Sequence, residues 1–208
     1  DLMKAIVATG KPIILLLLNG SALAINWAEE NIPAIITAGY PGQQGGNAIA
    51  DVLFGDYNPA GRLPVTYYKS VEQLPPFEDY DMAGRTYRYF NGTPLFPFGY
   101  GLSYTTFNYG NLHLPEKVKM NEPMQVSVDV TNTGKMDGDE VVQLYLSDEK
   151  ASTPRPIRQL IGFQRINLKK GETKTVSFLL GPRQLSMINN KEQRVVESGW
   201  FNISVGGK

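Results

Sequence analysis

The sequence contains no cysteine and only one histidine among its 208 residues. Without cysteine the chain can form neither a disulfide nor a thiolate metal site, so a disulfide-stapled scaffold is excluded. An excess of charge of one sign is also lacking, because 20 Lys and Arg balance 20 Asp and Glu to a formal net charge of zero. A neutral chain has no basic signature for nucleic acid, and we expect no nucleic-acid partner.

Long hydrophobic runs are absent as well. The longest, residues 13–18, is far shorter than the about 20 apolar residues that cross a bilayer, so we expect no membrane span. No basic segment followed by an apolar one opens the chain in the manner of a signal peptide. A helical pattern is already under way at Asp1, and we therefore expect the sequence to begin within a larger protein.

The first part of the chain alternates between strand and helix patterns. Three segments carry apolar residues at helical spacing, namely 2–8, 22–31 and 47–53. Three short segments are apolar throughout or alternate, as strands do, namely 13–18, 34–36 and 63–68. This order predicts right-handed βαβ units, with 13–18 as a central parallel strand that is buried on both faces. Ligands in such folds bind at the carboxyl edge of the sheet, which here begins with Asn19, Gly20 and Ser21.

A glycine-rich loop separates the strand 34–36 from the helix 47–53. A phosphate-binding loop would need Gly-x-x-x-x-Gly-Lys followed by Ser or Thr, or else Gly-x-Gly-x-x-Gly. Neither spacing occurs, and no lysine lies near the loop. We interpret the glycines as a close backbone approach between the strand end and the helix start.

Periodicity is lost over residues 69–82, where proline and acidic residues predict an ordered linker that crosses a surface. The segment that follows interleaves Arg85 and Arg88 with eight aromatic residues: Tyr87, Tyr89, Phe90, Phe96, Phe98, Tyr100, Tyr104 and Phe107. Such residues can pack a linker onto two flanking domains, or they can stack against a sugar. We favour the packing role and keep sugar contact as the alternative.

The rest of the sequence is all-β in character. Residues 124–130 alternate, with Val126, Val128 and Val130 on one face. Further strands are predicted at 141–146, 157–163, 173–180 and 200–205. Several short strands with turn signals between them, over about 100 residues, are typical of a small β-sandwich. We therefore predict an α/β part over residues 1–70, an aromatic linker over 71–108 and a β-sandwich over 109–208.

Three long strings make the chain resemble the C-terminal half of glycoside hydrolase family 3, the β-glucosidases and β-xylosidases. Residues 40–66 are YPGQQGGNAIADVLFGDYNPAGRLPVT, residues 84–90 are GRTYRYF, and residues 94–107 are PLFPFGYGLSYTTF. Their order and spacing match the family, and the resemblance runs over essentially the whole chain. It implies that residues 1–70 are the C-terminal part of an α/β sandwich domain and that 109–208 form a fibronectin type III-like domain.

The resemblance also implies a retaining glycosidase that cleaves terminal β-linked glucose or xylose. Such enzymes use two carboxylates about 5 Å apart. The resemblance implies a nucleophilic Asp in an N-terminal barrel and an acid/base Glu in the α/β sandwich domain, upstream of residue 1. Neither maps onto this sequence, so we assign no catalytic, cofactor-binding or metal-binding residue and expect no cofactor. The implied partners are the barrel, the rest of the sandwich domain and, through the missing catalytic half, a β-linked oligosaccharide. The family also favours a periplasmic or secreted location.

Three acidic groups and the single histidine are the local alternatives for chemistry: Glu29 and Glu30; Glu78, Asp79 and Asp81; Asp137, Asp139 and Glu140; and His113. We expect the first group to face water on a helix. The second crowds the linker, where close carboxylates can raise one pKa, but a solvated linker is the simpler interpretation. The third lacks the spacing of a calcium loop and is interpreted as a turn. The histidine has no nucleophile or metal-ligand partner nearby and is predicted to be structural.

Two hypotheses of different class follow. In the first, the chain is a non-catalytic piece of a glycosidase that completes a larger α/β sheet, so that a hydrophobic strand edge at 13–18 lies exposed without the rest. In the second, the β-sandwich and the aromatic linker form a carbohydrate- or protein-binding module of their own. A sandwich scaffold by itself favours no ligand, because function resides in the site.

Overall fold

The apolar runs in the first part of the chain form one parallel strand pair. A computed structural model describes residues 1–206. Strand β1 (Ile14–Leu17) pairs with β2 (Ala34–Thr37), and Ile14 lies opposite Ala34. Three helices flank these strands: α1 (Leu2–Val7), α2 (Asn26–Asn31) and α3 (Gly45–Phe54). The predicted strand–helix–strand order is confirmed.

The strand β1 is less buried than its composition predicts. Within residues 1–206 it pairs with β2 alone. Ile14 at its start is 52% exposed, and Leu18 just after its end is 56% exposed. The prediction that β1 is buried on both faces is therefore wrong for this chain, because its residues are exposed or only half-buried and no strand other than β2 pairs with it in the described residues. The expectation of an exposed hydrophobic edge at 13–18 is confirmed.

The predicted helix 22–31 begins only at Asn26, as α2. The cause lies in the turn before it, where the Asn19 side-chain amide donates a hydrogen bond to the Ser21 carbonyl. A helix capped at Ser21 would need that same carbonyl as its first acceptor. Local bonds of this kind offer the backbone an alternative to a helix, and residues 21–25 are not helical.

The predicted strand 63–68 is also wrong. Leu63 and Tyr67 do exchange backbone hydrogen bonds with the segment 95–100, but the only bridge there joins Tyr67 to Phe96. Pro64 and Pro97 remove two backbone donors, one from each side of the pairing. A ladder cannot continue through those positions, so the two segments meet at separate points.

The second half of the chain folds into two antiparallel three-stranded sheets that enclose one core. One sheet has the order β3-β4-β7 and the other the order β10-β5-β6. Their strands are β3 (Phe107–His113), β4 (Met124–Asn132), β5 (Gly138–Asp148), β6 (Gln159–Leu168), β7 (Thr173–Leu180) and β10 (Phe201–Val205). A short hairpin of β8 (Met187–Ile188) and β9 (Arg194–Val195) precedes the last strand. The predicted β-sandwich is confirmed.

The core of the sandwich follows the period of two in its strands. In β4 the residues Val126, Val128 and Val130 are buried, and they cluster with Val142 and Leu144 of β5. The residues between them are less buried or exposed. Because alternate side chains of a strand point to opposite faces, this alternation determines which face of each sheet enters the core.

Three short helical pieces lie outside the main elements, two of them in the linker. A 3₁₀ turn (Val71–Gln73) and a one-turn helix α4 (Thr86–Tyr89) lie in the linker, and another one-turn helix, α5 (Pro182–Leu185), follows β7. Among residues 1–206 there is no helix whose length and apolar character would suit a membrane crossing.

Candidate functional site

The carboxyl edge of the β1–β2 pair forms an open shelf. Gly20 lies directly under the exposed ring of Tyr40, so that a Cβ at Gly20 would come within 2.6 Å of the Tyr40 Cε2 atom. Next to it, the Asn19 Oδ1 atom is buried and has no hydrogen-bond partner among the described residues. A buried acceptor without a donor is costly, so this shelf has the chemistry of a surface completed by another group.

The glycine loop after β2 serves the backbone, as its spacing predicts. Gly39 and Gly42 adopt the left-handed conformation, with φ of 59° and 71°. At the first residue of α3, a Cβ on Gly45 would come within 2.5 Å of the Pro41 ring. A side chain at that position would displace Pro41, so the chain can turn tightly into α3 only with glycine there.

The acidic residues of the linker and of α2 do not converge. Glu29 and Glu30 are exposed on α2, and the linker acids are exposed as well. Asp79 Oδ1 accepts a hydrogen bond from the Asp81 backbone amide. The loop that carries them is held by Arg85, whose guanidinium donates to the carbonyl oxygens of Pro76, Asp79 and Asp81.

The acids of the third group, Asp137, Asp139 and Glu140, lie in different environments. Asp137 accepts a hydrogen bond from the Lys170 backbone amide in a turn, as predicted. Asp139 and Glu140 instead belong to β5. Hydrogen bonds from Asn167 and then Arg165 hold the pKa of Asp139 below its usual range. Within residues 1–206 no three His, Asp or Glu side chains are placed to hold a metal ion.

Glu140 lies at the junction of the two halves, a role that the sequence did not reveal. Its Oε2 atom pairs with Arg62, and its Oε1 atom accepts a hydrogen bond of 2.6 Å from the Tyr109 hydroxyl. Arg62 also donates to the Gly101 carbonyl. The Arg62 and Glu140 side chains are only 12% and 3% exposed. This buried pair joins the α/β part to the sandwich, and removing one partner would leave the other as an uncompensated buried charge.

The aromatic segment packs the linker against the sandwich. Tyr87 of α4 stacks on Phe98, with ring centroids 4.0 Å apart, and meets the edge of Tyr145 of β5 at 6.2 Å. Its hydroxyl accepts a 3.0 Å hydrogen bond from the Leu160 backbone amide. Burial in this cluster raises the pKa of Tyr145 to about 12.

The aromatic segment also contacts the α/β part, where the Tyr104 hydroxyl donates a hydrogen bond to the Val52 carbonyl of α3. These rings therefore have the predicted packing role.

The predicted structural histidine lies at the end of β3 and is exposed. His113 lines a shallow cavity of about 370 Å³ together with Leu112, Leu114, Pro115, Gln125 and Ser127. None of these neighbours is a nucleophile partnered by the imidazole or a second metal ligand, so the cavity offers no chemistry of the kinds that histidine supports.

Within residues 1–206 a two-stranded α/β unit is followed by a β-sandwich, and the Arg62–Glu140 ion pair joins the two. Residues 1–104 match the model of the glycosyl hydrolase family 3 C-terminal domain, and residues 140–208 match that of a fibronectin type III-like domain. The chain belongs to glycosyl hydrolase family 3.

The curated relatives span the same two regions within much longer proteins. A β-xylosidase from Formosa agariphila is 50% identical over 212 residues, which cover 99% of this chain and 29% of that protein. A periplasmic β-glucosidase from Salmonella typhimurium is 46% identical, with the same two coverages of 99% and 29%. The chain thus spans less than a third of the length of these relatives.

Solved structures also match nearly the whole of this chain within longer proteins. A β-glucosidase from Erythrobacter marinus is 43% identical and superposes with a TM-score of 0.88 over 99% of this chain and 28% of that one. A β-glucosidase from Listeria innocua in complex with isofagomine is 32% identical, with a TM-score of 0.88 over 99% and 31% of the two chains. Both halves and their junction are therefore shared with family members of known structure.

Proposed function

We propose that this chain is the non-catalytic C-terminal portion of a retaining glycosidase that releases terminal β-linked glucose or xylose. The main observation in its support is the open β1–β2 pair, which has an exposed edge and, at its carboxyl end, an Asn19 Oδ1 atom without a hydrogen-bond partner in residues 1–206. The relatives named β-xylosidase and β-glucosidase support the substrate class.

In this proposal the remainder of the protein supplies the strands that complete the β1–β2 sheet. We place the N-terminal barrel and the rest of the α/β sandwich domain against the exposed edge of β1, where further strands complete the sheet. In this arrangement residues 1–70 finish the sandwich domain, residues 71–108 form the linker and residues 109–208 brace both. Asn19 and Tyr40 then lie at the sheet edge where α/β domains bind ligands.

The chemistry belongs to the other part of the protein. A retaining mechanism needs two carboxylates about 5 Å apart, one acting as nucleophile and one as acid/base. Asp139 and Glu140 are paired with arginines, and the acids of α2 and of the linker are exposed and do not converge. We therefore assign no residue of this chain to the catalytic pair, and none to a cofactor or a metal.

The stereochemistry of the reaction that the full-length protein catalyses tests this function. Proton NMR of the first product released from aryl β-glucoside and aryl β-xyloside is expected to record the β-anomer before mutarotation, because double displacement retains configuration. The ratio of kcat/KM for the two substrates then decides between glucosidase and xylosidase. Release of the α-anomer first, or no hydrolysis of either substrate, would reject the proposal.

One observation favours the second candidate, a carbohydrate-binding module. Phe77 and Tyr80 are each 91% exposed on the linker loop that Arg85 holds in place. Aromatic rings presented in this way are suited to stacking on sugar faces. Retention of the full-length protein on insoluble glucan or xylan, and its loss in a Phe77→Ala/Tyr80→Ala variant, would support binding by this loop. Equal retention of a Val71→Ala control and of the double variant would exclude it.

A further inference from the structure

Four arginines surround a groove at the boundary between the linker and the sandwich. The groove has a volume of about 430 Å³ and lies among α4, the start of β6, α5 and the β8–β9 hairpin. Its arginines are Arg88, Arg155, Arg183 and Arg194, and no Asp or Glu is among the residues that line it. Cavities of this size are typical of small-molecule sites.

The positive charge of the groove is only partly compensated. Arg155 Nε lies 3.9 Å from Asp148 Oδ2, which is an ion pair without a hydrogen bond. Glu197 is also close enough to interact with Arg155, but its carboxylate accepts two hydrogen bonds from Ser152. Both acids interact with Arg155, and neither is among the residues that line the groove.

The donors of these arginines are also incompletely used. The Nε atoms of Arg88 and Arg155 are buried and have no hydrogen-bond partner among the described residues. The other observed side-chain bonds go to Ser186, whose carbonyl accepts from Arg155 and whose hydroxyl accepts from Arg194. Buried donors that lack an acceptor cost free energy, so an acceptor that enters the groove would be favoured.

We propose that this groove binds a small oxyanion, a phosphate or carboxylate group carried by a soluble ligand. Guanidinium groups are planar forks that match the geometry of such anions, and charge-assisted hydrogen bonds are stronger than neutral ones. The groove is formed by the linker and the sandwich, so the proposal does not depend on the glycosidase activity. It differs from the glycine loop after β2, which offers neither lysine nor arginine.

Titration calorimetry on the full-length protein at constant ionic strength tests the proposal, with inorganic phosphate as the first probe. Arg183 and Arg194 are exposed, so a double variant Arg183→Gln/Arg194→Gln removes two charges without disturbing the core. We expect saturable binding by the native protein and a Kd raised at least about tenfold in the double variant. A control variant, Lys117→Gln/Lys119→Gln, carries the same charge change far from the groove and should bind like the native protein.

Two further probes distinguish the source of the anion. Binding of acetate that weakens in the groove variant would assign a carboxylate ligand, whereas binding of glycerol 3-phosphate that weakens in that variant, with no binding of acetate, would assign a phosphate ligand. Absence of saturable binding for both anions would overturn the proposal. An equal loss of binding in the groove variant and in the lysine control would also overturn it, because it would show a general effect of net charge.

Discussion

Arg62 and Glu140 are 78 residues apart in the sequence, yet their side chains form a buried ion pair between the α/β part and the sandwich. The Tyr109 hydroxyl donates to the other Glu140 oxygen, so both carboxylate oxygens have partners. This three-residue network joins a loop that follows α3 to the first and third strands of the sandwich. The relative orientation of the two halves therefore depends on these buried polar contacts.

Replacing Glu140 with glutamine should loosen this junction. Arg62 would keep its buried charge without a counter-ion, and breaking a buried pair from one side costs about 3–5 kcal/mol. Hydrogen exchange of the full-length protein should show faster opening of the segments around Gly101 and Tyr109. A Glu122→Gln control alters an exposed ion pair with Lys119 and should leave exchange unchanged. Similar exchange in both variants would contradict the junction role.

Two neighbouring leucines of β7 should differ sharply in their contribution to stability. Leu180 is 2% exposed in the core, whereas Leu179 is 71% exposed on the opposite face. Leu180→Ala should lower the free energy of unfolding of the sandwich by about 2–5 kcal/mol, because it removes buried apolar atoms and leaves a cavity. Leu179→Ala should change it by less than about 0.5 kcal/mol. Denaturant unfolding monitored in the sandwich measures both, and equal effects would mean that the strand faces are assigned wrongly.

A methyl group at Gly101 should also disturb the junction. A Cβ there would overlap the Gly61 carbonyl oxygen, which is backbone and cannot rotate away. The forced shift would weaken the hydrogen bond from Arg62 to the Gly101 carbonyl, and overpacking of this kind costs about 1–3 kcal/mol. Thermal unfolding of Gly101→Ala should occur at a lower temperature than that of Gly61→Ala, since a Cβ on Gly61 would meet no atom within 4 Å. An unchanged midpoint for Gly101→Ala would show that the two segments are further apart.

Acid should weaken the sandwich partly through Asp139. Hydrogen bonds from Asn167 and Arg165 hold its pKa below the ordinary value in the folded chain. A depressed pKa contributes stability that is present above the unfolded pKa of about 3.9 and is lost as the pH falls through the folded value. Between about pH 5 and the folded pKa, the Asp139→Asn variant should therefore lose less stability than the native protein. Denaturant midpoints across that range measure the difference, and parallel curves would exclude the contribution of Asp139.

The parts of this fold that the sequence predicts are those determined by local periodicity. Alternation along 124–130 predicts a buried face in β4, because neighbouring side chains of a strand must point in opposite directions. Gly55 marks the end of α3, where it adopts the left-handed conformation with φ of 85°. Both features depend on residues within a few positions of one another.

The parts that the sequence does not predict depend on distant residues. Alternation places Glu140 in phase with the buried Val142, but nothing near it in the sequence identifies Arg62 as its partner. The four arginines of the groove come from the linker, the loop before β6, the helix α5 and the β8–β9 hairpin, and no spacing relates them. The burial of β1 is overestimated for a related reason. The composition of an apolar strand does not show whether other strands pair with it.

We infer that this chain lacks the catalytic carboxylates of its family. The most direct test is hydrolysis of aryl β-glucoside and aryl β-xyloside by a purified sample whose intact mass is 23.0 kDa, the mass of these residues alone. We predict no turnover by that sample, and turnover by the full-length protein under the same conditions. Hydrolysis by the 23.0 kDa sample would contradict the account and would place the catalytic acids within this chain, with Glu78, Asp79 and Asp81 as the first to test.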